Sequence, residues 1–244
     1  MTVVSTLFIA DLHLSPRRPR IEERFAHFLR DTTQGARALY ILGDLFESWA
    51  GDDDLDDPFN ARIARLLREA AQRLPIFLMH GNRDFLVGAR FARSAGIHLL
   101  PDPSVCDIEG EPTLLMHGDT LCTDDHDYQK FRALVRDPRW QAEFLAQPLT
   151  RRKAQIEALR ARSEEEKAGK PPAIMDVNAE AVMNALREHG VKRLIHGHTH
   201  RPAHHTHRLE GSLCERWVLP DWYEVGGYLC CNPAGCRLRI LERD

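Results

Sequence analysis

The 244-residue sequence contains no run of the roughly 20 apolar residues that a membrane-crossing helix requires. Its first ten residues hold no basic stretch and give way to a charge at Asp11, so they are not read as an export signal. No two cysteines stand in C-x-x-C spacing; they fall at Cys106, Cys122, Cys214, Cys230, Cys231 and Cys236. That argues against a zinc ribbon, and without an export signal the thiols are expected to stay reduced. A basic excess is also missing: 33 Lys and Arg stand against 36 Asp and Glu, a formal charge of -3. A chain so balanced is not expected to bind nucleic acid in general. With 43% hydrophobic and 28% charged residues, the composition allows a packed core and argues against disorder or a low-complexity fibre. The length favours one large domain carrying an insertion.

What the chain does have is a repeated local pattern. Five short apolar runs each end in glycine and polar residues. Residues 6–10 lead into Asp11-Leu12-His13, and residues 39–42 into Gly43-Asp44. Residues 76–79 lead into His80-Gly81-Asn82-Arg83-Asp84, and residues 113–116 into His117-Gly118-Asp119. Residues 193–195 lead into His196-Gly197-His198-Thr199-His200. Runs this short and apolar describe buried strands. Between them, residues 21–32, 60–74 and 178–189 carry apolar side chains at helical spacing. Strands alternating with helices predict a layered α/β fold. Chemistry in such folds gathers beyond the carboxyl ends of the strands, so the five polar tails are expected along one edge.

The donors on those tails are Asp11, His13, Asp44, Asn82, His117, His198 and His200. Imidazole nitrogens with carboxylate and amide oxygens, and no thiolate, suit manganese, iron or zinc. Seven donors exceed the needs of one ion with an open position, but two ions about 3.5–4 Å apart sharing a carboxylate would use them all. The spacing of two in Asp11/His13 and His198/His200 puts each pair on one side of an extended backbone. Gly43, Gly81, Gly118 and Gly197 permit sharp turns beside a crowded site.

As a set, these motifs resemble the calcineurin-like metallophosphoesterases, whose blocks read D-x-H, G-D, G-N-H-[ED], H-G and G-H-x-H. The resemblance spans residues 11–200 and implies a layered β-sandwich flanked by helices. One position departs: Arg83 stands where phosphomonoesterases of the superfamily usually carry histidine. With residues 44–49, 81–86 and 117–122, this points to the branch that hydrolyses UDP-2,3-diacylglucosamine in the lipid A pathway of Gram-negative bacteria. That resemblance implies two Mn²⁺ ions, the first held by Asp11, His13, Asp44 and His200. The second would be held by Asp44, Asn82, His117 and His198, with Asp44 bridging. It implies attack of a metal-bridged hydroxide on the α-phosphorus, releasing UMP and 2,3-diacylglucosamine 1-phosphate. A substrate of that class implies a cytoplasmic protein peripherally associated with the inner membrane surface; no obligate protein partner is inferred.

Arg83 has a physical rationale in that chemistry. The leaving group of a pyrophosphate is itself a phosphate, with a last pKa of about 6, so little protonation is needed. The larger need is to bind dense negative charge, which a guanidinium fork does well. Asn82, Arg83 and Asp84 are therefore the expected catalytic cluster, with Asp84 orienting a ligand imidazole or the arginine. The bland alternative pairs Arg83 with Asp84 or a helix end.

Residues 124–172 read as an inserted lid between a core of residues 1–123 and 173–244. Its apolar residues Phe131, Leu134, Val135, Trp140, Phe144, Leu145, Ile156 and Leu159 have helical spacing, and Pro138, Pro148, Pro171 and Pro172 divide it into two or three helices. Basic residues outnumber acidic ones between 151 and 170. An apolar face with a basic one suits a diphosphate bearing acyl chains. By the resemblance, Asp125, Ser163, Lys167 and Lys170 contact the UDP-glucosamine head together with Asn82, Arg83 and His198. Residues 52–57 read as a solvated acidic loop, His204, His205 and His207 as a surface loop, and residues 208–241 as two or three final strands. His196 is expected to pack at a strand end. Arg17, Arg18 and Arg20 could approach anionic headgroups. Competing functions are a phosphodiesterase or phosphatase acting on nucleotides or phosphoproteins, and a scaffold without chemistry. A scaffold should have lost donors, and all seven are present.

Overall fold

A computed structural model of the chain describes residues 4–168, 174–223 and 226–241, with residues 164–168 as backbone alone. One sheet has six strands in the order β11-β10-β1-β2-β3-β4. These are β1 Thr6–Ile9, β2 Ala38–Leu42, β3 Ile76–Met79, β4 His98–Leu100, β10 Gly227–Asn232 and β11 Gly235–Ile240. The second sheet runs β5-β6-β7-β9-β8, from β5 Ser104–Ile108, β6 Glu111–Met116, β7 Arg193–His196, β8 Ala203–Leu209 and β9 Ser212–Val218. Strands β1 to β4 are parallel, as are β6, β7 and β9.

Side-chain alternation builds four layers. In β1, Leu7 and Ile9 face one apolar cluster with Phe25, Phe28, Ile63 and Leu67 of the helical layer, while Phe8, and Ala10 just beyond the strand, face another between the sheets. The inter-sheet cluster stacks Phe8 on Tyr40 at 5.1 Å and Tyr40 on Phe77 at 4.8 Å. A third cluster packs Leu114, Leu194 and Cys214 against Val182 and Leu186. Helices α1 (Pro19–His27), α2 (Pro58–Ala71) and α3 (Ala89–Ala95) cover the first sheet, and α7 (Ala179–His189) the second. Helix α2 shows how sequence fixes an element: the Asp57 carboxylate accepts from the Phe59 amide, Pro58 opens the first turn, and Ile63, Leu67 and Ala70 make one buried stripe.

The five polar tails do not line one edge. Those of β1, β2 and β3 leave the first sheet and those of β6 and β7 leave the second, so the site lies where two sheet edges meet. Short apolar runs carry no information on which sheet they join. The expected loop at His204, His205 and His207 is edge strand β8. It pairs with β9 alone, and its alternating exposed and half-buried positions include no fully buried one, which hides the strand period. Helix α3 and strands β4 and β5 were not anticipated. The expectation that the thiols stay reduced fails for Cys231 and Cys236, which form a disulfide: the β10–β11 hairpin sets the two directly opposite, a pairing invisible until the hairpin register is known. Cys106, Cys122, Cys214 and Cys230 remain thiols.

The inserted segment folds as α4 (His126–Val135), α5 (Pro138–Leu145) and α6 (Leu149–Ala168). Asp125 caps α4 and Asp137 caps α5. Trp140 stacks on the buried Phe144 at 4.9 Å. The acidic run at 52–54 is not a solvated loop. Asp52 accepts from the Trp49 indole at 3.1 Å and from the Gly88 and Phe91 amides at 2.8 and 2.9 Å. Asp53 pairs with the buried Arg152, and Asp54 with Lys153 at 2.7 Å. Arg152 and Lys153 of the inserted segment are thus partners of Asp53 and Asp54, contacts between distant chain positions that local composition cannot reveal.

Candidate metal centre

All seven donors converge. His13 Nε2 lies 3.4 Å from His200 Nε2 and 3.8 Å from Asp44 Oδ2. On the other side of Asp44, His117 Nε2 lies 3.9 Å from the same Oδ2. Asn82 Oδ1 sits 3.1 Å from His117 Nε2 and 3.0 Å from His198 Nδ1. Asp11 Oδ1 lies 3.5 Å from His200 Nε2, while its Oδ2 accepts from the His198 amide at 2.8 Å. Two groups among the described residues have the compactness of a metal site: Asp11, His13 and His200, and Asp11, Asp44 and His117.

The backbone reaches this geometry by a route that spacing did not predict. Asp11, His13, Asp44, His198 and His200 all have positive φ, between 50° and 69°. The pairs two residues apart therefore converge through left-handed turns and not along extended strand. Such positions cost energy and gather at functional sites when the surroundings hold them. Here the holding bonds run between loops: Asp11 N donates to Gly43 O at 3.1 Å, His13 N to Asp44 O at 2.9 Å, and Trp222 N to Asp11 O at 3.0 Å. Glycine is required where these loops touch. A Cβ at Gly81 would overlap Asp44, and one at Gly197 would overlap Asp11.

Burial raises Asp11's pKa, but the His200 imidazole overturns that and holds the carboxyl well below the usual range. Burial lowers His13 to about 4, against the pull of Asp44 and Asp11. His117 is also disfavoured by burial as a cation, yet Asp44, Asp119 and Asp11 raise it to about 9. The residues fit a pair of hard-to-borderline cations. Asp11 Oδ1 is buried without a hydrogen bond, and imidazole nitrogens converging beside carboxylates offer the donor set such cations take.

Asp84, fully buried, spends its carboxylate on backbone: Oδ2 accepts from the Leu45 amide at 2.7 Å and Oδ1 from the Gly81 amide at 2.8 Å. It ties the Asp44 loop to the Asn82 loop and does not bond an imidazole or the guanidinium. Arg83 donates its amide to Asp44 Oδ1 at 2.8 Å. Its side chain borders a cavity of about 910 Å³, and among the described residues no carboxylate pairs with it. The same cavity is bordered by Asn82, Asp125 and Ser163, and by apolar Trp49, Phe85, Phe131, Trp140, Ile156 and Leu159. The Lys167 side chain and all of Lys170 lie outside the described residues.

Several neighbours escaped the motif reading. Glu47 Oε2 lies 3.2 Å from His13 Nδ1, and its other oxygen pairs with Arg160 of α6. Its place inside the Asp44–Trp49 block was the one available hint. Tyr223 stacks on His13 at 4.9 Å and is covered by the Arg18 guanidinium at 4.5 Å. Arg18 also donates to Trp222 O and Tyr223 O, at 3.1 and 2.8 Å, so it is engaged with the site's rim. Asp119 binds helix α4: it accepts from Tyr128 Oη at 2.6 Å and Arg132 Nε at 2.7 Å. Arg136 adds a bond to Gly81 O at 2.9 Å. His196 is buried and packs against Arg216 at 3.2 Å. His80 meets Val87 O at 2.7 Å.

The profile of the calcineurin-like phosphoesterases matches residues 4–202. The chain belongs to this family. Among its calcineurin-like relatives is a UDP-2,3-diacylglucosamine hydrolase of Aromatoleum aromaticum, 54% identical over 232 residues and 95% of each chain. A protein of the same name from Xanthomonas campestris pv. campestris is 50% identical over 245 residues, 98% of this chain and 99% of the relative. Another, from Xanthomonas oryzae pv. oryzae, is 50% identical over 242 residues, 96% and 98% of the two chains.

Proposed function

We infer that this phosphoesterase hydrolyses UDP-2,3-diacylglucosamine at its pyrophosphate bond, giving UMP and 2,3-diacylglucosamine 1-phosphate for lipid A synthesis. The observation that carries the reading is the single chamber of about 910 Å³ that begins at Asn82 and Arg83 and ends among lid side chains such as Phe131, Trp140 and Leu159. It joins a polyanion-binding end to an apolar end, as a diphosphate bearing acyl chains requires. The names of near-full-length relatives at 50 and 54% identity support the same substrate.

Asp11, His13, Asp44 and His200 would hold one divalent ion, and Asp44, Asn82, His117 and His198 the other. When bound, such a pair, manganese in the branch the motifs resemble, supplies an acidified water and positive charge beside the phosphorus. The chain's own residues do the rest. Asn82 anchors between His117 and His198 and lines the chamber. Arg83 binds oxygens of the diphosphate and stabilises charge that grows as the bond breaks. Asp84 acts through the backbone, fixing the loops of Asp44 and Asn82 against one another. Asp125, Ser163, Lys167 and Lys170 take the UDP-glucosamine head. The lid shields the acyl chains from water, each buried methylene adding about 0.8 kcal/mol.

Among the described residues no helix is long and apolar enough to cross a membrane. Because the substrate carries acyl chains, we place the working protein at the cytoplasmic surface of the inner membrane, in peripheral contact.

The test is ³¹P analysis of products formed from UDP-2,3-diacylglucosamine and Mn²⁺ in ¹⁸O-enriched water. The label is expected in UMP, which marks attack at the α-phosphorus. Label in the sugar phosphate would reject that attack. Faster turnover of simple phosphate esters would reject the substrate and favour a general phosphatase.

A further inference from the structure

A second cavity, of about 270 Å³, opens beside the loop that follows β7 and shares no lining residue with the chamber under the lid. Its walls include Asp176, Thr199, Arg201, His205 and Arg216. Three facts give it chemical character. First, Arg216 is only 8% exposed, and no carboxylate lies within ion-pair distance of it among the described residues. One guanidinium nitrogen meets His196 Nε2 at 3.2 Å, an imidazole that brings no negative charge, and its Nε is buried without a hydrogen bond. Second, Thr199 Oγ1 is likewise buried and unbonded. Third, Arg201 pairs with Asp176, whose carboxylate also accepts from the Val177 amide at 2.8 Å.

A buried guanidinium whose neighbouring carboxylate, Asp176, stands beyond ion-pair distance and is already bonded to Arg201 has donor capacity left for an anion. The fork of a guanidinium, a hydroxyl donor and a nearby imidazole match the tetrahedral oxygens of a phosphate better than a planar apolar ligand. The space is several times the ~30 Å³ one water occupies in the liquid. We propose that this cleft is a second binding site, for a phosphate-type oxyanion, built on Arg216, Thr199, Arg201 and His205. The ligand is either free inorganic phosphate or the phosphomonoester end of a larger molecule. Its position has a mechanical corollary: Thr199 stands between His198 and His200, so an occupant touches the segment that carries two of the seven donors. The proposal is independent of which substrate the main chamber takes.

The test uses the full, Mn²⁺-loaded chain. Crystals soaked in sodium tungstate are read for anomalous density, and inorganic phosphate, UMP and acetate are titrated by calorimetry against wild type, Arg216→Gln and Arg201→Gln. Tungstate is expected between Arg216 and Thr199. A phosphate-binding event beyond any at the metal centre is expected in wild type, weakened at least about tenfold in each variant. UMP competing for that event would identify a phosphomonoester, and its failure to compete would identify free phosphate. Because Arg216 is buried, Arg201→Gln carries the test if the first variant misfolds. A cleft without tungstate density, variants that bind phosphate like wild type, or acetate binding as tightly as phosphate would each overturn the assignment.

Discussion

The Asp44 carboxylate faces His13 and His117 at 3.8 and 3.9 Å through one oxygen and accepts the Arg83 amide through the other. A group so placed serves both halves of the donor set. Asp44→Ala should abolish bound metal at both positions and cut kcat/KM by at least about a thousandfold; elemental analysis that still finds two ions per chain would remove the bridging role. Asp119 gives a different kind of prediction. Burial pushes its pKa up, but His117, His198 and Arg132 hold it well below the usual range. A depressed carboxyl stabilises the fold above its unfolded value of about 3.9 and loses that contribution as pH falls toward the folded value. The metal-free protein should therefore lose stability steeply below pH ~4, and Asp119→Asn should flatten that slope. Parallel urea midpoints in the two proteins across that range would contradict this. The seven donors were legible because each lies in a short local motif. Glu47 and Tyr223 were not, because they gain their roles from contacts with Arg160 and His13 far away in the chain.

Helices α4 to α6 were legible from apolar spacing and punctuating prolines, but their orientation was not. Phe144 turned out to be buried with the core cluster, whereas Phe131 and Leu159 are 39% and 42% exposed beside the chamber. Truncating Phe144 therefore mixes folding with binding. Phe131→Ala and Leu159→Ala isolate the apolar contact: each should lower kcat/KM for the acylated substrate about tenfold and spare a water-soluble diphosphate analogue. Equal losses on both substrates would mean that these residues support the fold and not the acyl chains. Strands were legible where an apolar run stopped at glycine. They were hidden where polarity was two-sided, as in β8, whose three histidines sit on an edge.

At the scale of the molecule, the donors come from both sheets: Asp11, Asp44 and Asn82 follow strands of the first, and His117, His198 and His200 follow strands of the second. Ions held there would bridge the sandwich. Chelation should then lower the melting temperature by roughly 5–10 °C for a chain of this size, and Asp44→Ala should melt at one temperature with or without chelator. A wild-type melting point untouched by chelation would mean that the two edges are fixed without any ion. The layering itself was readable from alternating strands and helices, while the division into two sheets was not, since pairing between strands is decided by packing across the whole domain. The left-handed turns under Asp11 and Asp44 carry a consequence for descent. Asparagine tolerates that backbone conformation nearly as well as aspartate, so Asp11→Asn or Asp44→Asn could silence the chemistry while leaving the architecture intact. Lineages of this fold can thus shed their ions in a single, structurally quiet step, and an inert descendant would keep the outline of its working ancestor.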